Sequence, residues 1–231
     1  WHTLFPYTTL FRSESMIKNG VYFDGSSIAG WKDISESDMA IIPDISKVCM
    51  DPFAAQKTIK IFCDVHDPST NKPYDCDPRY IAKTAEKYLK VSGTGDVAYF
   101  GSEAEFFVFE DVQISTDNHQ SGFKIDSVEG PYNSGRVYPD GNMGHRPAPK
   151  GGYFPESPVD SLSDIRGEMV TVMQNMGLSV EKHHHEVAPS QCEIGIRFSS
   201  LTDSADNVQI YQHVVQNVAH SYGKTATFLP K

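Results

Sequence analysis

An α+β fold is what this sequence predicts, with short antiparallel strands in its first third and helices against a second antiparallel sheet after it. Three observations carry that expectation. Asn19 to Thr70 reads as β-structure broken by turns. Gln191 to Phe198 alternates, with Cys192, Ile194, Ile196 and Phe198 on one face and Gln191, Glu193, Gly195 and Arg197 on the other. Two later stretches repeat apolar residues at helical spacing: Leu162, Ile165, Met169, Val172, Met173 and Met176, then Val208, Tyr211, Val215, Val218 and Tyr222.

In chain order, Val21-Tyr22-Phe23 is a short strand that ends in the loop Asp24-Gly25-Ser26-Ser27. Met39 to Pro43 and Lys57 to Asp64 are further strands, and Asp67-Pro68-Ser69 is a turn. Asp77 suits a helix N-cap and Pro78 the first helical position. Ile81, Ala85, Tyr88 and Leu89 form that helix's apolar stripe. A domain boundary placed here divides 14–76 from 77–231. A strand over Asp96 to Glu110 follows. Asp111 to Pro158, rich in Gly, Pro, Asn and Ser, reads as a loop, and one that long inside a compact domain is usually functional. Ser161 opens the next helix with Asp164 three residues on, an acidic variant of the capping box, and Gly177 closes it. After the hairpin, a last helix spans about Asp203 to Tyr222, with Gly223 as terminator.

The 231 residues suffice for one or two domains, and 39% hydrophobic content suffices for a core. No apolar run approaches the ~18–20 residues of a membrane span. A net charge of −10 argues against nucleic acid as the main partner. It does not exclude an anionic substrate bridged by metals. Cys49, Cys63, Cys76 and Cys192 form no C-x-x-C pair, so reduced thiols are expected rather than a disulfide framework or a zinc site. Thr3 to Ser13 resembles a translated sequencing adapter, and Trp1–Ser13 is too short and polar for a signal peptide. Residues 1–13 are read as a cloning scar, and the chain is expected to be a gene fragment cut at both ends.

Four glutamates stand out, in Gly101-Ser-Glu103-Ala-Glu105-Phe-Phe-Val-Phe109 and in His183-His-His-Glu186-Val-Ala-Pro-Ser-Gln-Cys-Glu193. Both segments read as buried β-structure, where an unpaired carboxylate is costly. Side chains two apart on a strand share a face, so Glu103 and Glu105 point together with Tyr99 and Phe107, while Phe106 and Val108 fill the other face. If the segments converge, the like charges need compensation, and a hard divalent cation bound through oxygen, Mg²⁺ or Mn²⁺, provides it. Alternation also denies His183, His184 and His185 a shared ion. Lys150-Gly151-Gly152 lacks the spacing of a phosphate-binding P-loop.

The same segments resemble the type I glutamine synthetase family. Three others agree in order: Phe23-Asp-Gly-Ser-Ser-Ile28; Asn142-Met-Gly-His-Arg-Pro147 with Lys150-Gly-Gly-Tyr-Phe-Pro155; and Gly223-Lys-Thr-Ala-Thr-Phe-Leu-Pro-Lys231. The resemblance runs from about Met16 to Lys231. It implies a partial β-grasp domain over 14–76 and the N-terminal part of a catalytic domain over 77–231. It implies ATP-dependent ligation of ammonia to L-glutamate through a γ-glutamyl phosphate. By the resemblance, Glu105, Glu186 and Glu193 hold one of two Mg²⁺ or Mn²⁺ ions and Glu103 helps hold the second. His184 and Glu181 lie near the nucleotide. Phe198 either stacks on adenine or is a core phenylalanine on the apolar face. Asp24 binds ammonium and takes its proton in the adjacent subunit's site, with Ser27, Tyr153 and Glu186 completing that pocket and Glu105 bordering it. The partners implied are glutamate, ammonium, ATP and further copies in a double-ring dodecamer, in the cytoplasm. Six residues separate Glu186 from Glu193 where some family members have seven. The second-metal histidine and the substrate-clamping arginines would lie beyond Lys231, so the chain as given is expected to be inactive. Two alternatives stay open: a ligase for another amine, against which the intact Asp24 loop counts, and a non-catalytic relative, against which the four carboxylates count.

Overall fold

The structure, a computed structural model, describes residues 14–130 and 144–229. Trp1–Ser13, the Asn142-Met143 start of one motif and Pro230-Lys231 lie outside the described residues. The elements in order are α1 (Glu14–Asn19), β1 (Val21–Asp24), β2 (Asp38–Asp51), β3 (Thr58–Asp67), β4 (Lys72–Pro73), α2 (Pro78–Val91), β5 (Tyr99–Phe100), β6 (Glu105–Phe109), β7 (Asp111–Asp117), β8 (Gln120–Asp126), α3 (Ser163–Asn175), β9 (Val180–His185), β10 (Gln191–Ile196), β11 (Ser199–Ser200), α4 (Leu201–Ser221) and β12 (Thr225–Thr227). The class is α+β, as expected, and both four-stranded sheets are antiparallel. The described residues divide into two units, 14–100 with Ser200–Asp206, and 101–199 with 207–229.

In the first unit the strands lie in the order β1-β2-β3-β4. Its core is small: Met39, Ile41 and Val65 are buried, with Val21, Phe23, Trp31, Cys63 and Tyr74 packed against them. Strand β2 runs well past Pro43, because the register with β3 shifts between Pro43 and Val48. A bulge there accommodates a residue with no N–H to give the ladder. Asp77 caps α2 as its sequence suggests, accepting from Arg79 N at 3.1 Å, and its other oxygen takes the Val65 N–H, also at 3.1 Å. The apolar stripe of α2 is not buried: Ile81 is 54% and Tyr88 72% exposed. Polar contacts hold the helix instead. Arg79 donates to Asp44, Asp64 and Asp206, and Lys83 to Asp64.

The second unit is built on the sheet β12-β6-β10-β9. Phe106 and Val108 of β6 and Cys192 and Ile194 of β10 are buried, together with Met169 and Met173 of α3 and Tyr211, Val214, Val215 and Val218 of α4. The helical spacing of methionines and valines therefore marks the core. Three expectations need correcting. The strand read over Asp96 to Glu110 enters this sheet only as Glu105–Phe109. Just before it, the Ala104 carbonyl accepts from the Tyr211 hydroxyl at 2.8 Å instead of from a neighbouring strand. The segment read as a loop from Asp111 begins with the hairpin β7–β8, in which Ile114 faces Phe123 and Val112 faces Ile125. Its Gly and Ser content masked a period-2 pattern. Finally, Ser161 does not cap α3. Its hydroxyl goes to Glu129 at 2.6 Å, and Asp160 takes the Leu162 N–H at 3.2 Å. Gly177 and Gly223 close their helices with φ of 96° and 68°, a region glycine enters freely.

Candidate functional site

Strand register assembles the site. On β10, Glu193 sits between His184 of β9 and Glu105 of β6 as direct cross-strand partners. Directly opposed residues share a face. Cys192, Ile194, Phe106 and Val108 fill the apolar face, so the polar row His184–Glu193–Glu105 lies on the other. The turn 186–190 then brings in Glu186. Donor atoms of His184, Glu186 and Glu193 all lie within 4.8 Å of one another, and all three residues are buried.

The trio is not hydrogen-bonded to itself. His184 Nδ1 is 3.6 Å from Glu186 and Nε2 is 3.7 Å from Glu193, beyond hydrogen-bonding distance. Among the described residues, His184 Nε2 is buried with no hydrogen-bond partner. Such a group costs about 1–3 kcal/mol. Glu186 spends one oxygen on the Val187 N–H at 3.0 Å and keeps the other toward His184. Two carboxylates and an unpaired ring nitrogen around one small space fit a divalent cation.

The other expected ligands are placed differently. Glu105 is in the row, but its carboxylate accepts from Gln191 Nε2 at 2.5 Å. Glu103 precedes β6, outside any strand, and is exposed. The shared strand face of Glu103 and Glu105 is therefore not realised, because the strand starts at Glu105. Tyr99, expected on that face, is 66% exposed.

The His184 ring is itself held by aromatics. Phe154 stacks on it at 4.3 Å between centroids, and Tyr153 meets it edge-on at 5.7 Å. Main-chain bonds hold this segment: Gly152 N to Val187 O at 3.2 Å and Phe154 N to His185 O at 3.3 Å. Glu181 is exposed on β9. Phe198 lies beyond the end of β10 and is 53% exposed, which removes the core-phenylalanine reading, and the Arg197 guanidinium lies 5.9 Å from its ring centre. Asp24 and Ser27 belong to the first unit. The Asp24 carboxylate accepts from the Ser26 hydroxyl at 2.7 Å and the Ser26 N–H at 2.9 Å, and Ser27 lies at 3.4 Å. These bonds, the Ser26 hydroxyl foremost, hold its pKa below the usual value.

A charged pair behind the site has no signal in the sequence. His185 points away from His184 and is fully buried. Its Nδ1 lies 2.8 Å from Gly152 O and 2.6 Å from Glu186 O, and its Nε2 lies 2.7 Å from Glu129 Oε2. With Glu129 ionised, both nitrogens face acceptors and both can donate, as the pairing of an imidazolium with a carboxylate requires. Burial works to lower the pKa of His185, but the hydrogen bond and charge of Glu129 outweigh it and raise it. Burial likewise pushes Glu129 up, and the bonds from His185, Ser161 and Ser190 bring it below its ordinary value. Glu129 is 2% exposed in a stretch without periodicity, where an acid ordinarily faces water. Only tertiary structure identifies it. Arg166 and Asp160, likewise buried, pair at 3.0 and 2.5 Å.

The family model for "Glutamine synthetase, catalytic domain" matches residues 75–231, and that for "Glutamine synthetase, beta-Grasp domain" matches residues 1–68. The chain is 56% identical over 230 residues to a glutamine synthetase of Azospirillum brasilense, covering 100% of this chain and 49% of that protein. It is 57% identical over 218 residues to one of Rhizobium meliloti, covering 94% and 46%. The chain thus spans about half the length of the curated relatives it matches. Among solved structures, a Plasmodium falciparum glutamine synthetase superposes with a TM-score of 0.85 at 27% identity, over 95% of this chain and 43% of that one. Among the described residues, no helix is long and apolar enough to cross a membrane.

Proposed function

The chain belongs to the glutamine synthetase family, and from that premise we propose that its protein joins ammonia to L-glutamate with ATP, through a γ-glutamyl phosphate. The observation that carries the reading is the buried trio His184, Glu186 and Glu193, with an unpaired ring nitrogen among carboxylates. Glu186 and Glu193 would hold one divalent cation, Mg²⁺ or Mn²⁺, with Glu105 next in register, and Glu103 would contribute to a second. When bound, such ions supply positive charge that offsets the approach of a glutamate carboxylate to a triphosphate. His184, steadied by Phe154, and Glu181 would border the nucleotide. Phe198, half-exposed just past the strand, would stack on adenine.

Ammonium must be held as a cation and then lose a proton. Asp24, kept ionised by the Ser26 bonds, suits the holding of the cation, and in this reading the same carboxylate takes the proton. Ser27, Tyr153, Glu105 and Glu186 would complete that pocket. In this reading Asp24 serves a neighbouring copy's site within a double-ring dodecamer in the cytoplasm, and 14–76 and 77–231 are the β-grasp and catalytic portions. In the full-length protein, mixing Asp24→Ala with Glu186→Ala under subunit exchange should then partly restore activity; a mixture as inactive as either variant despite proven exchange ends the shared-site idea. The metal reading is tested by calorimetric titration of the chain with Mn²⁺. Binding should be seen and should weaken about 10–100-fold in Glu193→Gln. A parent chain that takes up no Mn²⁺, or a variant that binds as the parent does, would sink it.

A further inference from the structure

We infer that Glu129 is a positioning residue for the site: it sets the turn 186–190 through its bonds to His185 and Ser190, and so fixes where Glu186 presents its carboxylate. One buried carboxylate bonds to three residues, Ser161 and the two that flank the turn. Its Oε2 accepts from His185 Nε2 at 2.7 Å and from the Ser190 N–H at 2.6 Å. Its Oε1 accepts from the Ser161 hydroxyl at 2.6 Å and, more weakly, from the Ser161 N–H at 3.3 Å. The turn is thus held at both ends, by the residue before Glu186 and by the residue before Gln191.

Each end needs the support. Ser190 has φ of 65°, the left-handed region that a non-glycine residue enters at a cost of about 1–2 kcal/mol. Its N–H bond to Glu129 offsets that strain, and the Ser127 hydroxyl contacts the Ser190 hydroxyl. At the other end His185 Nδ1 donates to the carbonyl of Glu186 itself, so the ring ties the Glu186 main chain to Glu129. Between these ends the turn closes on itself, with Glu186 N to Gln191 O at 2.8 Å and Ala188 N to the Gln191 side chain at 3.1 Å. Among the described residues, the Glu129 carboxylate bonds to Ser161, His185 and Ser190 and to no member of the trio. Its effect passes through main chain, and charged groups in a site are held only as well as their support.

Two readouts test the proposal, and only the second rests on the metal reading above. Hydrogen–deuterium exchange needs no metal: in Glu129→Ala the amides of 186–191 should exchange about tenfold faster than in the parent. In calorimetry, Glu129→Ala should weaken Mn²⁺ binding about tenfold, while Glu129→Gln, which keeps the shape and one of the two acceptor oxygens, should weaken it less than Glu129→Ala does. Val218→Ala, a core change in α4, should leave Mn²⁺ affinity unaltered. Unchanged exchange in a folded Glu129→Ala overturns the proposal, as does a Val218→Ala that loses as much affinity as Glu129→Ala. Should Glu129→Ala not fold, Ser161→Ala carries the test through the far oxygen. Faster exchange at 186–191 supports the proposal and parent-like exchange overturns it. Faster exchange in a chain that binds no Mn²⁺ keeps Glu129's role and discards the metal site.

Discussion

The two four-stranded sheets differ in what they bury. In the first, Met39, Ile41 and Val65 make up the buried core, and Ile45, Val48, Met50 and Ile59 stay 48–71% exposed. In the second, β10 is buried at five of its six positions, with two helices behind it. Among the described residues, the buried cluster of His184, Glu186 and Glu193 lies on the second. A carboxylate is positioned no better than the strand beneath it, and a strand packed on one face against a dense core can present fixed charges on the other. The first sheet instead carries Asp24 at the exposed end of β1, where its own loop hydroxyls orient it.

Phe106→Ala should cost about 3–5 kcal/mol in urea denaturation of the second unit. Met39→Ala, in the thinner core, should cost about 2–3 kcal/mol; equal losses would erase the contrast. On the polar face, Glu193→Gln should raise metal-free stability by about 1 kcal/mol, since the site holds its carboxylates together for function rather than for the fold. A loss of stability in the presence of chelator would show that the trio supports the fold. Phe123→Ser on the exposed hairpin β7–β8 should change stability by less than about 0.5 kcal/mol.

The smallest effect concerns acid. Hydrogen bonds from Ser69, with Lys32, lower the Asp67 pKa from 3.8 to about 2. Its folded value is depressed, so its contribution is complete above 3.8 and is lost as pH falls toward about 2. Thermal midpoints taken from about pH 5 down to about pH 2.5 should fall less steeply in Asp67→Asn than in the parent. Parallel slopes would place the acid sensitivity elsewhere.

What was legible in the sequence follows the same divide. Alternation over Gln191 to Ile196 and the helical spacing of Met169, Met173, Val215 and Val218 were readable because one-sided burial writes a period into the chain. Glu186 and Glu193 were readable as a cluster because acids in such apolar surroundings are out of place. The stripe on α2 was misleading, since a period shows an amphipathic face and not whether anything covers it. Glu103 was drawn into a strand because alternation extrapolates across a break that only the Tyr211–Ala104 bond reveals. Glu129 was illegible because its partners lie 32, 56 and 61 residues away, and no local pattern encodes them.

Gly152 carries a consequence for how this protein can vary. A Cβ there would stand 2.5 Å from the Glu186 carbonyl oxygen and 2.8 Å from that of Val187, both main-chain atoms that cannot swing aside. At Gly151 the tightest approach is 3.1 Å, to Ala148. In a saturation library the two adjacent glycines should therefore part company: alanine and serine survive at 151, and nothing but glycine at 152. The tolerance of the chain at that point is set by the backbone of a turn more than thirty residues later.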